Sequence, residues 1–167
     1  PYHVVAIKRG YETVIPGGND ELKLYDLAYF MTTRQYIPYI RKIVGKEHYV
    51  DVKNVFFMGG GNTCVMAVKN IPSYMEAKII EKDEERCEEL NDLLEEDKAL
   101  VIHGDGRDIQ LLNEEGIMNT QAFVALTNNT ETNILACLTA KRLGVRKTVA
   151  MVENMDYVSM ADSLDIG

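Results

Sequence analysis

The sequence predicts an α/β fold, a parallel sheet with helices on both faces, preceded by a small α+β lobe. From about residue 52 onward, short apolar runs alternate with helix-like stretches without a break. Strands that are apolar on both faces need cover on both faces, which a parallel sheet between helix layers provides. Before residue 50 the texture differs, with short β-rich segments broken by Pro16, Gly17, Gly18 and Asn19. Residues 1–50 and 52–167 are therefore expected to form two domains.

In the first domain, His3 to Ile7 and Glu12 to Ile15 read as strands, and Asp26 to Thr32 as a third apolar run. Thr33 is a candidate cap for a helix whose apolar positions Tyr36, Ile37, Ile40, Ile43 and Val44 recur at helical spacing. Pro38 falls early enough for a first turn. Gly45 to Asp51 reads as a linker.

In the second domain the expected strands are Val55–Met58, Ala77–Glu81, Leu100–His103, Phe123–Leu126 and Thr148–Val152. Between them lie helical stretches up to Ile71, over Glu84–Leu94 with Cys87, Leu90 and Leu94 inward, through Leu111 and Leu112 to Gly116, and over Thr130–Leu143 closed by Gly144. A last helix is expected from Met155 to about Ser163. Both ends stop abruptly, so the chain reads as a piece of a longer protein.

The formal charge is −8 with no basic stripe, which argues against a nucleic-acid partner. No run approaches the ~20 apolar residues of a membrane span. Cys64, Cys87 and Cys137 are far apart, lack CxxC spacing and sit in helical apolar patterns. Buried free thiols in a cytoplasmic protein are expected rather than disulfides or a metal site.

The chemistry-bearing residues gather at successive strand ends. Gly59-Gly60-Gly61-Asn62-Thr63-Cys64 lies at a strand-to-helix turn, the context a G-x-G-x-x-G fingerprint requires. Gly59 would permit the tight turn, and Gly61 a close backbone approach to a pyrophosphate at the helix start. Cys64 replaces the third glycine. Glu81, followed by Lys82, ends the second strand about 20 residues later, where an acid takes ribose hydroxyls and repels a 2′-phosphate. The third strand runs into His103-Gly104-Asp105-Gly106, placing Asp105 where it could meet an adenine amino group or start the turn before Asp108. After the fourth strand, Asn129 or Thr130 is an ordinary helix cap. Thr127 and Asn128 are then left for a ligand. His103 is a weak candidate base, since no acid or nucleophile pairs with it in sequence. The candidate binding set is Gly59, Gly61, Asn62, Thr63, Glu81, Lys82, Gly104, Asp105, Thr127 and Asn128, on a Rossmann-like sheet, with no catalytic residue and no metal site.

Gly59–Gly61, the stretches 77–90, 103–108 and 125–135 together resemble the TrkA-type regulatory subunits of bacterial potassium uptake systems, which carry the module called RCK or KTN. Residues 1–50 are similar to that family's small C-terminal lobe (TrkA_C-like), through the Pro16-Gly17-Gly18 turn and Leu24-Tyr25-Asp26, where Tyr25 stands for a glycine. The resemblance implies the end of one module joined to the nucleotide lobe (TrkA_N-like) of the next. It also implies NAD (NAD+ or NADH), alternatively ATP or ADP, as cofactor. The implied partner is a membrane potassium transporter subunit, met at the inner face of the membrane by a cytoplasmic dimer or tetramer. Carried over, Gly59 and Gly61 would border the phosphates, Glu81 the ribose, Asp105 the adenine, and Thr127 and Asn128 the far end. Asn62 departs from the family, many members of which have an arginine there for a terminal phosphate. Three alternatives stand beside this reading: an NAD-dependent oxidoreductase domain, an S-adenosylmethionine methyltransferase, and a degenerate lobe serving assembly only.

Overall fold

The computed structural model describes residues 2–45, 51–94, 98–154, 156–164 and 166. The chain divides into two compact units, 1–49 and 50–167. Most of the expected linker, and the first residue of the expected last helix, lie outside the described residues.

The first unit is an antiparallel sheet of order β2-β1-β3, from β1 (Tyr2–Arg9), β2 (Glu12–Val14) and β3 (Leu27–Thr32). Gly10, at φ 59°, opens the two-residue turn between β1 and β2, where the reversed twist of a hairpin requires positive φ. A short 3-10 turn, Arg34–Tyr36, leads into α1 (Ile37–Ile43). The expected cap is corrected here: Thr33 precedes the 3-10 turn without a side-chain bond, and Tyr36 stands at the start of α1. The helix face also differs, because only Ile40 is buried while Ile37, Ile43 and Val44 are exposed. Helical periodicity marks which residues share a face, not what covers it.

The loop before β3 is held by Asp26, whose carboxylate takes Arg9 Nε at 2.9 Å and Nη2 at 2.7 Å and the Lys23 amide at 2.8 Å. The Arg9 hydrogen bonds, followed by the Lys23 amide, lower its pKa to about 2. Tyr25, at φ 72°, is the one non-glycine with positive φ among the described residues. Left-handed backbone costs an L-residue roughly 1–2 kcal/mol. With 93% of Tyr25 exposed, little packing offsets that cost. Tyr25→Gly removes the strain against a smaller entropic cost of roughly 0.5–1 kcal/mol. The expected result is amide exchange across β1 and β3 slowed by roughly two- to fivefold. Faster exchange would show that the ring, not the backbone, matters there.

The second unit is a five-stranded parallel sheet of order β6-β5-β4-β7-β8. The strands are β4 (Asn54–Met58), β5 (Glu76–Glu81), β6 (Ala99–His103), β7 (Ala122–Ala125) and β8 (Lys147–Ala150). Its helices are α2 (Asn62–Asn70), α3 (Glu84–Leu93), α4 (Ile109–Glu114), α5 (Thr130–Arg142) and α6 (Asp156–Ser163). This is the expected α/β fold, and the expected elements differ from the observed ones by a residue or two at their ends. One element was not anticipated, a 3-10 turn over Ile117–Asn119 after Gly116, whose φ of 86° ends the preceding helix.

Side chains alternate across a strand, so the run Val55-Phe56-Phe57-Met58 feeds two cores at once. Val55 and Phe57 pack with Cys64, Val68, Leu90 and Ile79. Phe56 and Met58 pack with Ile80, Phe123, Ile134, Cys137 and Ala140. All three cysteines are free and buried, on α2, α3 and α5.

Because every strand in this sheet is parallel, all their carboxyl ends reach one edge. The strand order reverses between β4 and β7, and the loops leaving these two strands diverge to opposite faces and open a crevice. Backbone bonds carry the ladder into the loops: Gly59 N–H to Ile80 O at 2.9 Å, Gly104 N–H to Glu81 O at 2.8 Å, and Leu126 N–H to Met58 O at 2.8 Å.

Candidate functional site

The crevice at that edge has a volume of about 550 Å³. Its floor is apolar, from Met58, Ile80 and Leu126, and its walls are the loops after β4, β5, β6 and β7. Of the residues expected from the sequence, Gly59, Gly61, Glu81, Lys82, Asp105, Thr127 and Asn128 line it. Asn62, Thr63 and Gly104 do not. Asn62 and Thr63 are exposed at the start of α2. Gly104 packs against Leu111, where a β-carbon would collide with the leucine.

Each glycine of the turn has its own reason. Gly59 has φ 95°, and a β-carbon on it would come within 3.1 Å of the Thr127 amide nitrogen. At Gly60 a β-carbon would run into Leu90. A β-carbon on Gly61 would meet no atom within 4 Å beyond its chain neighbours, so the space a side chain would fill is open beside the crevice. A fourth glycine, Gly106, keeps the β6 loop down on Met58. The packing restraint expected at the third fingerprint position is absorbed by Cys64, which is fully buried.

Helices α3, α4 and α5 begin with side-chain caps from Asp83, Asp108 and Asn129. No side chain caps α2. Its first-turn amides have no partner within the helix, and such amides, at the positive end of the helix dipole, favour an anion.

Glu81 is more occupied than a ribose-binding acid need be. Its Oε2 accepts the Gly60 amide at 2.6 Å, and its Oε1 accepts the amides of Lys82 at 2.6 Å and Asp83 at 3.0 Å. The carboxylate thus fastens the glycine turn to the end of β5. With about four acceptor sites on a carboxylate, one lone pair of Oε2 remains for a ligand hydroxyl. Asp105 is closed off by two cations. Arg107 donates through Nη2 at 2.8 Å and Nε at 3.1 Å, and Lys82 Nζ lies at 2.9 Å. Arg107 first, with Lys82, holds the Asp105 carboxyl well below the usual range.

Three contributors were not identified in the sequence. Arg107 and Arg86 line the crevice, Arg86 reaching back from α3 to donate through Nε to Gly60 O at 2.8 Å. Asn133, fully buried at the start of α5, bonds the Thr127 backbone and hydroxyl and the Met151 carbonyl.

Among the described residues, none at the crevice forms an acid–base or nucleophilic pair. His103 Nε2 lies 2.9 Å from the Lys82 carbonyl, which can only accept, so the ring donates there. Burial pushes the Cys64 thiol up to about 12, and the Cys137 thiol up to about 11. Thiols so placed stay protonated and unreactive. Among the described residues no group of His, Cys, Asp and Glu is arranged to hold a metal ion, and no helix is long and apolar enough to cross a membrane. The arrangement is suited to holding a phosphorylated, ring-bearing ligand between an apolar floor and a polar rim.

Comparison with known proteins identifies the family and the fold. The chain is 31% identical over 163 residues to the Trk system potassium uptake protein TrkA of Halomonas elongata, covering 98% of this chain and 35% of that protein. It is 33% identical over 177 residues to the TrkA homolog 2 of Methanosarcina mazei, with 98% and 36% covered. The chain therefore spans about a third of the length of these relatives. Among solved structures, the GsuK RCK domain shares its fold at TM-score 0.58 and 17% identity, over 99% of this chain and 34% of that one. The GsuK channel bound to NAD aligns at TM-score 0.57 and 17% identity, over 99% and 29%. Residues 55–166 match the TrkA-N domain, and the chain belongs to that family.

Proposed function

We propose that this chain is part of a nucleotide-sensing regulatory subunit of a potassium transport system. It binds NAD(H), or alternatively ATP or ADP, and gates a potassium-conducting membrane partner. In this reading residues 52–167 are the nucleotide lobe and residues 1–50 the small C-terminal lobe of a preceding module. The subunit works in the cytoplasm at the inner face of the membrane as a homo-oligomer. The observation that carries the proposal is the crevice itself, where the glycine turn, the uncapped start of α2, Glu81, Asp105 and the Thr127 loop meet around an apolar floor. Family membership supports the transport role, and the NAD-bound GsuK channel supports the ligand class. Adenine lies on the floor near Asp105, the ribose meets the remaining lone pair of Glu81, and the phosphates lie at Gly61 and α2. The Glu81 carboxylate favours an unsubstituted ribose. A coupling of about 1–3 kcal/mol between ligand and partner conformation is enough to regulate transport. Calorimetry of the intact subunit with NADH, NAD, ATP and ADP tests the reading. An absence of binding at millimolar ligand would defeat it.

A second reading is favoured by one observation, the ion pairs that seal Asp105. In it the lobe is degenerate and serves assembly only. Glu81 separates the two. In Glu81→Gln, whichever way the amide turns, its NH2 group faces a backbone N–H donor. The expected loss is about 2 kcal/mol of stability, from replacing charge-assisted bonds by a repulsive contact. NADH affinity is expected to fall at least about tenfold with it. Unchanged affinity in Glu81→Gln and Glu81→Ala would favour assembly only.

A further inference from the structure

We propose that Arg86 is the residue through which the crevice recognises phosphate, making the site specific for phosphorylated adenine ligands over the bare nucleoside. This rests on the nucleotide reading above and adds the specificity determinant to it.

Three cationic side chains line the crevice: Lys82, Arg86 and Arg107. Two are committed to Asp105, Lys82 at 2.9 Å and Arg107 at 2.8 Å. Arg86 is placed differently. Two bonds fix its plane, Nε to Gly60 O at 2.8 Å and Nη1 to Glu89 Oε2 at 2.6 Å. Among the described residues its Nη2 makes only a long contact, 3.5 Å to Asn62 Oδ1, and keeps donor capacity. The side chain is 23% exposed, so its charge is partly shielded from solvent and already ordered before any ligand arrives. The guanidinium therefore lies beside the first turn of α2, where Asn62 brings no charge and no side chain caps the helix. A phosphate there meets a fixed planar donor and free helix amides together, whereas adenosine has no group for either. The nearby carboxylates do not cancel this. Glu81 is turned onto backbone amides, Asp83 onto the Arg86 amide, and Glu89 holds the opposite end of the guanidinium.

The test measures adenosine, ADP, NAD and NADP affinities of the intact subunit, in wild type, Arg86→Gln and Arg86→Lys. Arg86→Gln is expected to weaken ADP and NAD at least about tenfold while adenosine changes less than about twofold. Arg86→Lys, which keeps the charge without the fork, falls between. Adding Asn62→Arg to Arg86→Gln returns a cation to the α2 start and recovers part of the loss. Equal losses for NAD and NADP assign the guanidinium to the diphosphate and support the proposal, whereas a loss confined to NADP would move it to a 2′-phosphate and overturn it. Equal weakening of adenosine and ADP in both variants would overturn it, because Arg86 then only props up Gly60. Should Arg86→Gln fail to fold, Arg86→Lys decides alone, on the same ratio of ADP to adenosine. A wild type that binds none of the four ligands sinks the nucleotide reading itself, and this proposal with it.

Discussion

Asn133→Ala is expected to cost the second unit about 4 kcal/mol. Asn133 is fully buried, and every polar atom of its side chain is used. Its Oδ1 accepts from the Thr127 amide at 3.0 Å and the Thr127 hydroxyl at 2.6 Å. Its Nδ2 donates to the carbonyls of Thr127 and Met151, both at 2.8 Å. Truncation strands an N–H and two carbonyls in a part-buried site, each costing roughly 1–3 kcal/mol, with partial relief from a water entering the gap. Asn133→Asp is expected to be worse. Its carboxylate would keep the acceptor role but face two carbonyls, burying charge against negative dipoles. Urea melts followed by a probe in the second unit measure the difference. A change under 1 kcal/mol in Asn133→Ala would show that the loop closes without this side chain. The function follows the stability, because Asn133 sets the Thr127 loop against which Gly59 packs. Nucleotide affinity should fall even under conditions where the variant remains folded.

Asn133 also shows where sequence reading stopped. The sheet was legible because five apolar runs alternate with helical stretches, and only a parallel arrangement covers such runs on both faces. The strand-end residues followed, since parallel strands deliver Gly59, Glu81, Asp105 and Thr127 to a common edge. What escaped was side-chain reach. Arg86 lies 24 residues from Asn62 in sequence. The signal was its place in the first turn of α3, where side chains lean back toward the helix start and so toward the glycine turn. Asn133 could have been found as an amide on the stripe shared with Thr130, Ile134, Cys137 and Ala140, a position that demands buried partners. The closure of Asp105 by Lys82 and Arg107 had a weaker signal. The short spacing of Arg107 is visible, but pairing Lys82 with Asp105 depends on β5 and β6 being neighbours, which only the strand order supplies. In the first unit, Tyr25 stands where the resembling pattern has a glycine, but its positive φ was not read from the sequence.

The glycine turn offers a separation of stability from binding. Gly59→Ala is expected to lower stability by about 3 kcal/mol. Positive φ contributes roughly 1–2 kcal/mol of this. The rest comes from a β-carbon forced to within 3.1 Å of the Thr127 amide nitrogen and 3.2 Å of the Leu126 carbonyl carbon, neither of which moves without the β7 loop. Gly61→Ala is different. Its φ of −66° suits any residue, and nothing lies within 4 Å of the added methyl. Its stability cost should stay within about 1 kcal/mol, the difference between glycine and alanine at a helix start. Yet that methyl occupies the open space beside the crevice where a phosphate must approach the backbone. NADH binding by Gly61→Ala is therefore expected to weaken at least about tenfold while the melting curve barely moves. Both quantities come from one preparation, by calorimetry and thermal denaturation. Wild-type affinity in Gly61→Ala would mean that the ligand does not pass over this turn. The phosphates would then have to lie elsewhere along the crevice, away from the uncapped start of α2.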